Sequence, residues 1–195
     1  MSLRDLSGWL IKNEGFLRKY QVLVANSIKD QFPELKSNVI PKISSEDIGY
    51  FLTCASSLAF SSDEKCQDAA LRIAQYCLLN EKSEARKDSA ALILDSLSNN
   101  PAIQLAENRG YLNPDFEERL PLKAQLELTK RKILYTIEID ADKNIYANRF
   151  QSEFWDAVQE NTWVSVSAPT SVGKSFILES WVEQFVKSNQ NCLVI

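Results

Sequence analysis

Residues 163–187 constrain the fold more than any other stretch. An apolar, β-branched run, Trp163-Val164-Ser165-Val166-Ser167, leads directly into Ala168-Pro169-Thr170-Ser171-Val172-Gly173-Lys174-Ser175. Phe176, Ile177, Leu178, Trp181, Val182, Phe185 and Val186 then follow at helical spacing. The pattern G-x-x-x-x-G-K-[ST] is met except at its first position, where Ala168 stands in place of glycine. A strand, a tight loop and a helix form the context this pattern requires. The loop's N–H groups and the helix N-terminus make a nest for anionic oxygens. Gly173 lets the backbone pass close to a phosphate, Lys174 spans the β- and γ-phosphates, and the Ser175 hydroxyl is placed to ligate Mg²⁺. The expected nucleotide-binding residues are Thr170, Ser171, Val172, Gly173, Lys174 and Ser175, with ATP and Mg²⁺ as ligands and Ser175 as the metal's protein oxygen.

The first 130 or so residues read differently. Leu10, Ile11, Phe16, Leu17, Tyr20, Leu23, Val24 and Ile28 recur at helical spacing up to Phe32-Pro33. Ser44 and Asp47, three apart, resemble an N-cap ahead of a helix carrying Ile48, Phe51, Leu52, Ala55 and Leu58. Further starts are expected at Ser61-Ser62-Asp63-Glu64, near Ser83, and at Asn100-Pro101, with Gly110 where a C-terminal cap belongs. Gln67-Asp68-Ala69-Ala70-Leu71 and Lys87-Asp88-Ser89-Ala90-Ala91 echo each other across 20 residues, too briefly for a named repeat. Small residues on these faces predict closely approaching helices, as a bundle or a few stacked pairs. After Pro121 one more helix is expected through Leu126 and Leu128. Ile133–Ile139 and Ile145–Ala147, either side of a turn-like Asp140–Asn144, predict a short hairpin. A helix around Phe150–Val158 then precedes the strand at 163–167.

Composition excludes several classes. The chain of 195 residues has no apolar stretch near the roughly 20 residues that cross a bilayer, and its first residues lack a signal peptide's apolar region. A net charge of -4 with no basic block leaves no footprint for tight nucleic-acid binding by this chain alone. With no His, every Ser-His, Cys-His and His-metal mechanism is removed. Cys54, Cys66, Cys77 and Cys192 are too scattered for a zinc site and read as reduced thiols, which points to the cytoplasm.

The Ala168-x-Thr170-x-x-Gly173-Lys174-Ser175 form resembles motif I of superfamily 2 helicases. Gln151 lies 23 positions before Lys174, the separation at which those helicases place the Q-motif glutamine, and Phe150 sits beside it. The amide of such a glutamine offers a donor and an acceptor to an adenine edge. The run from Asn148 to Trp155, taken with Ser167 to Phe176, is similar to bacterial DEAD/DEAH-like helicases of antiphage systems, the Hachiman-type helicase subunit among them. The resemblance is confined to residues 148–178, with only a loose likeness over 60–110. It implies a mainly α chain: a helical N-terminal domain over 1–132, a hairpin linker over 133–147, and over 148–195 the first βαβ part of a RecA-like motor with Q motif and Walker A only.

Twenty-one residues follow Lys174, ending on an apolar run, Cys192-Leu193-Val194-Ile195, that reads as a buried parallel strand. A Walker B acid and an arginine finger would have to come from elsewhere, so the expectation is an N-terminal helicase portion with no hydrolysis of its own. The resemblance implies nucleic acid as a partner through downstream motor domains. The alternative is that residues 1–130 form an interaction module that docks a partner protein or effector nuclease. An unfinished sheet also predicts self-association.

Overall fold

The computed structural model describes residues 3–32, 34, 40–140, 143–167 and 173–187. Among them the chain is mainly helical, with ten helices and one two-stranded sheet. It divides into two compact units, Met1–Pro121 and Leu122–Ile195. The last helix before the hairpin therefore belongs with the second unit, whereas the sequence placed the boundary at 132.

The first unit holds α1 (Leu3–Leu10), α2 (Glu14–Gln31), α3 (Ser45–Leu58), α4 (Glu64–Asn80), α5 (Glu84–Ser96), α6 (Asn100–Asn108) and α7 (Phe116–Arg119). The periodicity from Leu10 to Ile28 is split into two helices. Asn13 accepts the Phe16 N–H at 3.0 Å and caps α2, which ends the run through Ile11. Ser44 caps α3 as its spacing predicts, accepting the Asp47 N–H at 3.1 Å. Asp63 caps α4. At α6 the cap is Asn99 rather than Asn100, because the helix starts one residue earlier than the proline suggests. Gly110 (φ 70°) follows α6, with Tyr111 N–H donating to the Ala106 carbonyl and Gly110 N–H to that of Glu107, a Schellman closure.

Helix α4 packs between α3 and α5. Ala69, Ala70 and Ala74 on α4 and Ala90 and Ala91 on α5 are buried, so the backbones come close and Phe51, Leu58, Ile73 and Leu94 fill the remaining space. Cys54, Cys66 and Cys77 are buried, free thiols in this core; Cys192 lies outside the described residues. The two echoed segments diverge in their acids. Asp68 pairs on the surface with Arg72 at 2.8 Å, whereas Asp88 is 3% exposed and takes a two-pronged guanidinium from Arg119 at 2.8 and 3.1 Å. Arg119 also donates to the carbonyls of Asn113 and Pro114, locking the α6–α7 connection onto α5. Arg86 on α5 plays a similar part, donating to Glu81 and to Ser45.

The second unit contains α8 (Leu122–Tyr135), β1 (Thr136–Asp140), β2 (Lys143–Tyr146), α9 (Arg149–Glu160) and α10 (Lys174–Lys187). The strands pair antiparallel, Thr136 opposite Tyr146 and Ile137 opposite Ile145, with an irregularity between Glu138 and Asp140. The hairpin is thus present, but starts at 136: helix α8 carries on through Ile133 and Leu134. Ile137, Ile139, Ala147, Trp155 and Ile177 form the core of this unit, with Ile145, Phe154 and Trp181 against it. The strand expected at Trp163–Ser167 is not one. These residues are in no ladder among the described residues, and Trp163 is 82% exposed. An apolar run becomes a strand only by pairing, and the sole described sheet is the β1–β2 hairpin. No parallel strand pair occurs among the described residues; Cys192–Ile195 lie outside them. No described helix is long and apolar enough to cross a membrane.

Arg119→Ala is expected to lower stability by roughly 3 kcal/mol, because it leaves the buried Asp88 carboxylate unpaired. Replacing the pair together, Asp88→Leu with Arg119→Met, is expected to recover most of that loss in urea unfolding followed by circular dichroism. A second expectation concerns alkali. Burial, with Glu81 nearby, pushes the Cys77 thiol from its ordinary 9.0 up to about 12. Across that window the folded chain keeps a proton the unfolded chain has lost. Stability therefore falls as pH rises from about 9 to about 12, by at most about 1.4 kcal/mol per pH unit from this group. Cys77→Ala is expected to show a smaller drop in urea midpoint than the native chain between about pH 8.5 and about pH 10.5.

Candidate functional site

The site is built at the junction of α9 and α10. Asn148 caps α9: its side chain accepts the Gln151 N–H at 2.8 Å, and the Gln151 Oε1 accepts the Asn148 N–H at 2.9 Å. This reciprocal capping box fixes the Gln151 side chain at the first turn of the helix. The other end of the amide reaches the motif, with Nε2 donating to the Gly173 carbonyl at 3.3 Å. Gly173 has φ 75°, a conformation that favours glycine. A Cβ built there would lie 2.5 Å from Gln151 Nε2. The positive φ favours glycine here, and an added Cβ would push the end of the Gln151 side chain aside.

Helix α10 begins at Lys174, immediately after that peptide, and the Gly173 carbonyl also accepts the Ile177 N–H at 3.3 Å. Lys174 is half-buried and Ser175 exposed. Lys174 borders a cleft of about 330 Å³ whose walls include Phe150, Phe154, Val164, Ile177 and Trp181. The Phe150 and Phe154 rings stack at 6.4 Å between centroids along one face of α9. A cation at the edge of an apolar, aromatic-lined cleft suits a ligand with an anionic end and a flat apolar end.

The far end of α10 is held as well. Lys143 on β2 pairs with Glu183 at 2.7 Å, and Gln184 Nε2 donates to the Ile139 carbonyl at 3.4 Å. Its partners Lys143 and Lys187 hold the Glu183 carboxyl below the usual carboxylate range.

Of the residues expected from sequence, Gln151 and Gly173 are in contact, and Lys174 and Ser175 open the helix that follows. Thr170, Ser171 and Val172 lie outside the described residues. No group of three or more His, Cys, Asp or Glu side chains able to hold a metal occurs among the described residues. A Mg²⁺ carried in on phosphate oxygens would be met by the Ser175 hydroxyl at the helix N-terminus, a donor of suitable chemistry. Sequence reading missed the capping role of Asn148 and the contact between Gln151 and Gly173. The first was available, since Asn-x-x-Gln has capping-box spacing. The second was not, because it joins residues 22 apart across two helices.

Gly173→Ala is expected to lower the thermal unfolding midpoint of the second unit. A left-handed backbone costs a non-glycine residue about 1–2 kcal/mol, before the Gln151 amide is displaced. An unchanged midpoint would contradict the geometry.

No family model, no curated protein and no solved structure matches this chain.

Proposed function

We propose that residues 148–187 hold the phosphates of Mg²⁺·ATP, as the nucleotide-binding start of a RecA-like, superfamily 2 helicase or translocase. One observation carries this reading. The glycine of the G-K-S triplet has a positive φ, and the triplet's lysine is the first residue of a helix. A positive-φ glycine just ahead of a helix N-terminus leaves backbone N–H groups to meet an anion, and Lys174 would add its charge there. Ser175 would complete the Mg²⁺ shell. The cleft beside Lys174 would take the less polar part of the ligand.

Binding need not bring hydrolysis. The acids after Lys174 are Glu179 and Glu183, and Glu183 is committed to Lys143 and Lys187. Water activation would need a Walker B acid from a further segment of the motor, which would also carry the nucleic-acid contacts. The setting we infer is cytoplasmic, in bacterial antiphage defence.

The first unit supports a second reading, as a module that docks a partner protein or effector nuclease. It has its own core and leaves Trp9 and Phe60 more than half exposed, at 52% and 62%. A pull-down with the whole chain and with Trp9→Ser/Phe60→Ser tests it, recovery by both arguing against docking there.

Titration with a fluorescent ATP analogue and Mg²⁺ tests the main reading. Lys174→Ala is expected to weaken binding at least about tenfold, the loss of one charge-assisted contact. Equal binding by native and variant chains, or none by either at millimolar nucleotide, would overturn it.

A further inference from the structure

Helix α8 carries two rows of side chains with the same rhythm on opposite sides. Ala124, Leu128, Arg131 and Tyr135 form the inner row, with Leu128 buried and the others half-buried. Leu122, Leu126, Thr129 and Ile133 form the outer row, and its three apolar members are 62% to 75% exposed. Steps of four, three and four residues make a coiled-coil seam, a strict stripe narrower than the face a helix turns to a core. Charge indicates what covers it. Lys123, Lys130, Arg131 and Lys132 stand against Glu127 alone on α8, in a chain whose net charge is -4. Lys123 and Lys130 are exposed and run along one flank of the seam, at its e positions. A second α8 would bring the same excess of cations, and like charges placed face to face oppose pairing. Phosphate contacts need cations but no apolar row. A helix lying on lipid turns a broader apolar face to it, whereas here Leu134 is set apart from the seam by the two lysines.

We propose that α8 is a docking helix that pairs, through Leu122, Leu126, Thr129 and Ile133, with an acidic amphipathic helix of a partner protein. The partner's apolar stripe covers the seam, and its carboxylates meet Lys123 and Lys130 along the flank. The apolar row supplies the affinity and the lysines select the sign of the partner. This surface uses neither the phosphate site nor the first unit, so it stands whether or not the chain binds nucleotide.

The test titrates the whole chain with two fluorescein-labelled peptides of about 21 residues, followed by anisotropy. Both have leucine at a and d, and they differ only in carrying glutamate or lysine at e and g. The glutamate peptide is expected to bind at least about tenfold more tightly, with an affinity that falls as salt is raised. Lys123→Glu/Lys130→Glu is expected to reverse that preference, and Leu126→Ser/Ile133→Ser to weaken the glutamate peptide at least about thirtyfold. These four side chains are exposed, so the thermal midpoint by circular dichroism should be the same in both variants as in the native chain. A lower midpoint for Leu126→Ser/Ile133→Ser would mean that the native chain already covers the seam, and would overturn the proposal. Equal binding of the two peptides, or none by either at about 100 μM, would overturn it as well. A dimer in sedimentation that Leu126→Ser/Ile133→Ser dissolves would put a second copy on the seam instead. Tighter binding to phosphatidylserine vesicles or to duplex DNA than to the glutamate peptide would give α8 to lipid or nucleic acid, and either result counts against the proposal.

Discussion

Close approach of backbones, made possible by missing side-chain volume, is the constraint on which both units depend. In the first unit, alanines let α4 lie between α3 and α5 with its inner face fully buried. In the second, one absent Cβ lets the start of α10 meet the start of α9 through the Gln151 amide. The larger side chains fill space that these contacts define. Trp155 and Ile177 can share a core with the hairpin because α9 and α10 are joined at their N-terminal turns.

Polar groups do the rest of the fastening, and their worth depends on burial. Arg18–Glu14 and Arg149–Glu153 are exposed pairs of the kind that contributes little. Asp88 differs because water cannot take over from Arg119 if the pair is broken. The Lys19–Asp47 contact lies between these cases. It joins α2 to the first turn of α3 beside the Tyr50 ring, and each partner favours the charged form of the other.

Much of this was legible in the sequence where local rules decide. Ser44, Asn100-Pro101 and Gly110 mark helix ends by chemistry confined to a few residues, and each lies at or beside an observed end. The failures are places where a distant partner decides. Asp68 and Asp88 occupy matching positions in two echoed segments, and only the arrival of Arg119 makes one of them an interior charge. Ile133 and Leu134 suggest a strand, but the helix from Leu122 simply propagates through them, leaving them 75% and 59% exposed. Trp163–Ser167 have strand composition without a described neighbour to pair with, and composition cannot supply one. The G-K-S segment was readable as a pattern. Its tie to Gln151 was visible only as an offset, since nothing in a one-dimensional string says which atom of an amide faces which peptide.

The two anchors on α10 have a mechanical consequence. A helix fixed at one end can still roll about its axis and fray from the other. This one is held at its start by the Gly173 carbonyl and near its end by Lys143 and the Ile139 carbonyl, about 15 Å along the axis. Torsion applied at either end is therefore felt at the other. The bearing of Lys174 is set partly by a hairpin fastened near the other end of its helix, much as a shaft is aligned by the bearing at its far end.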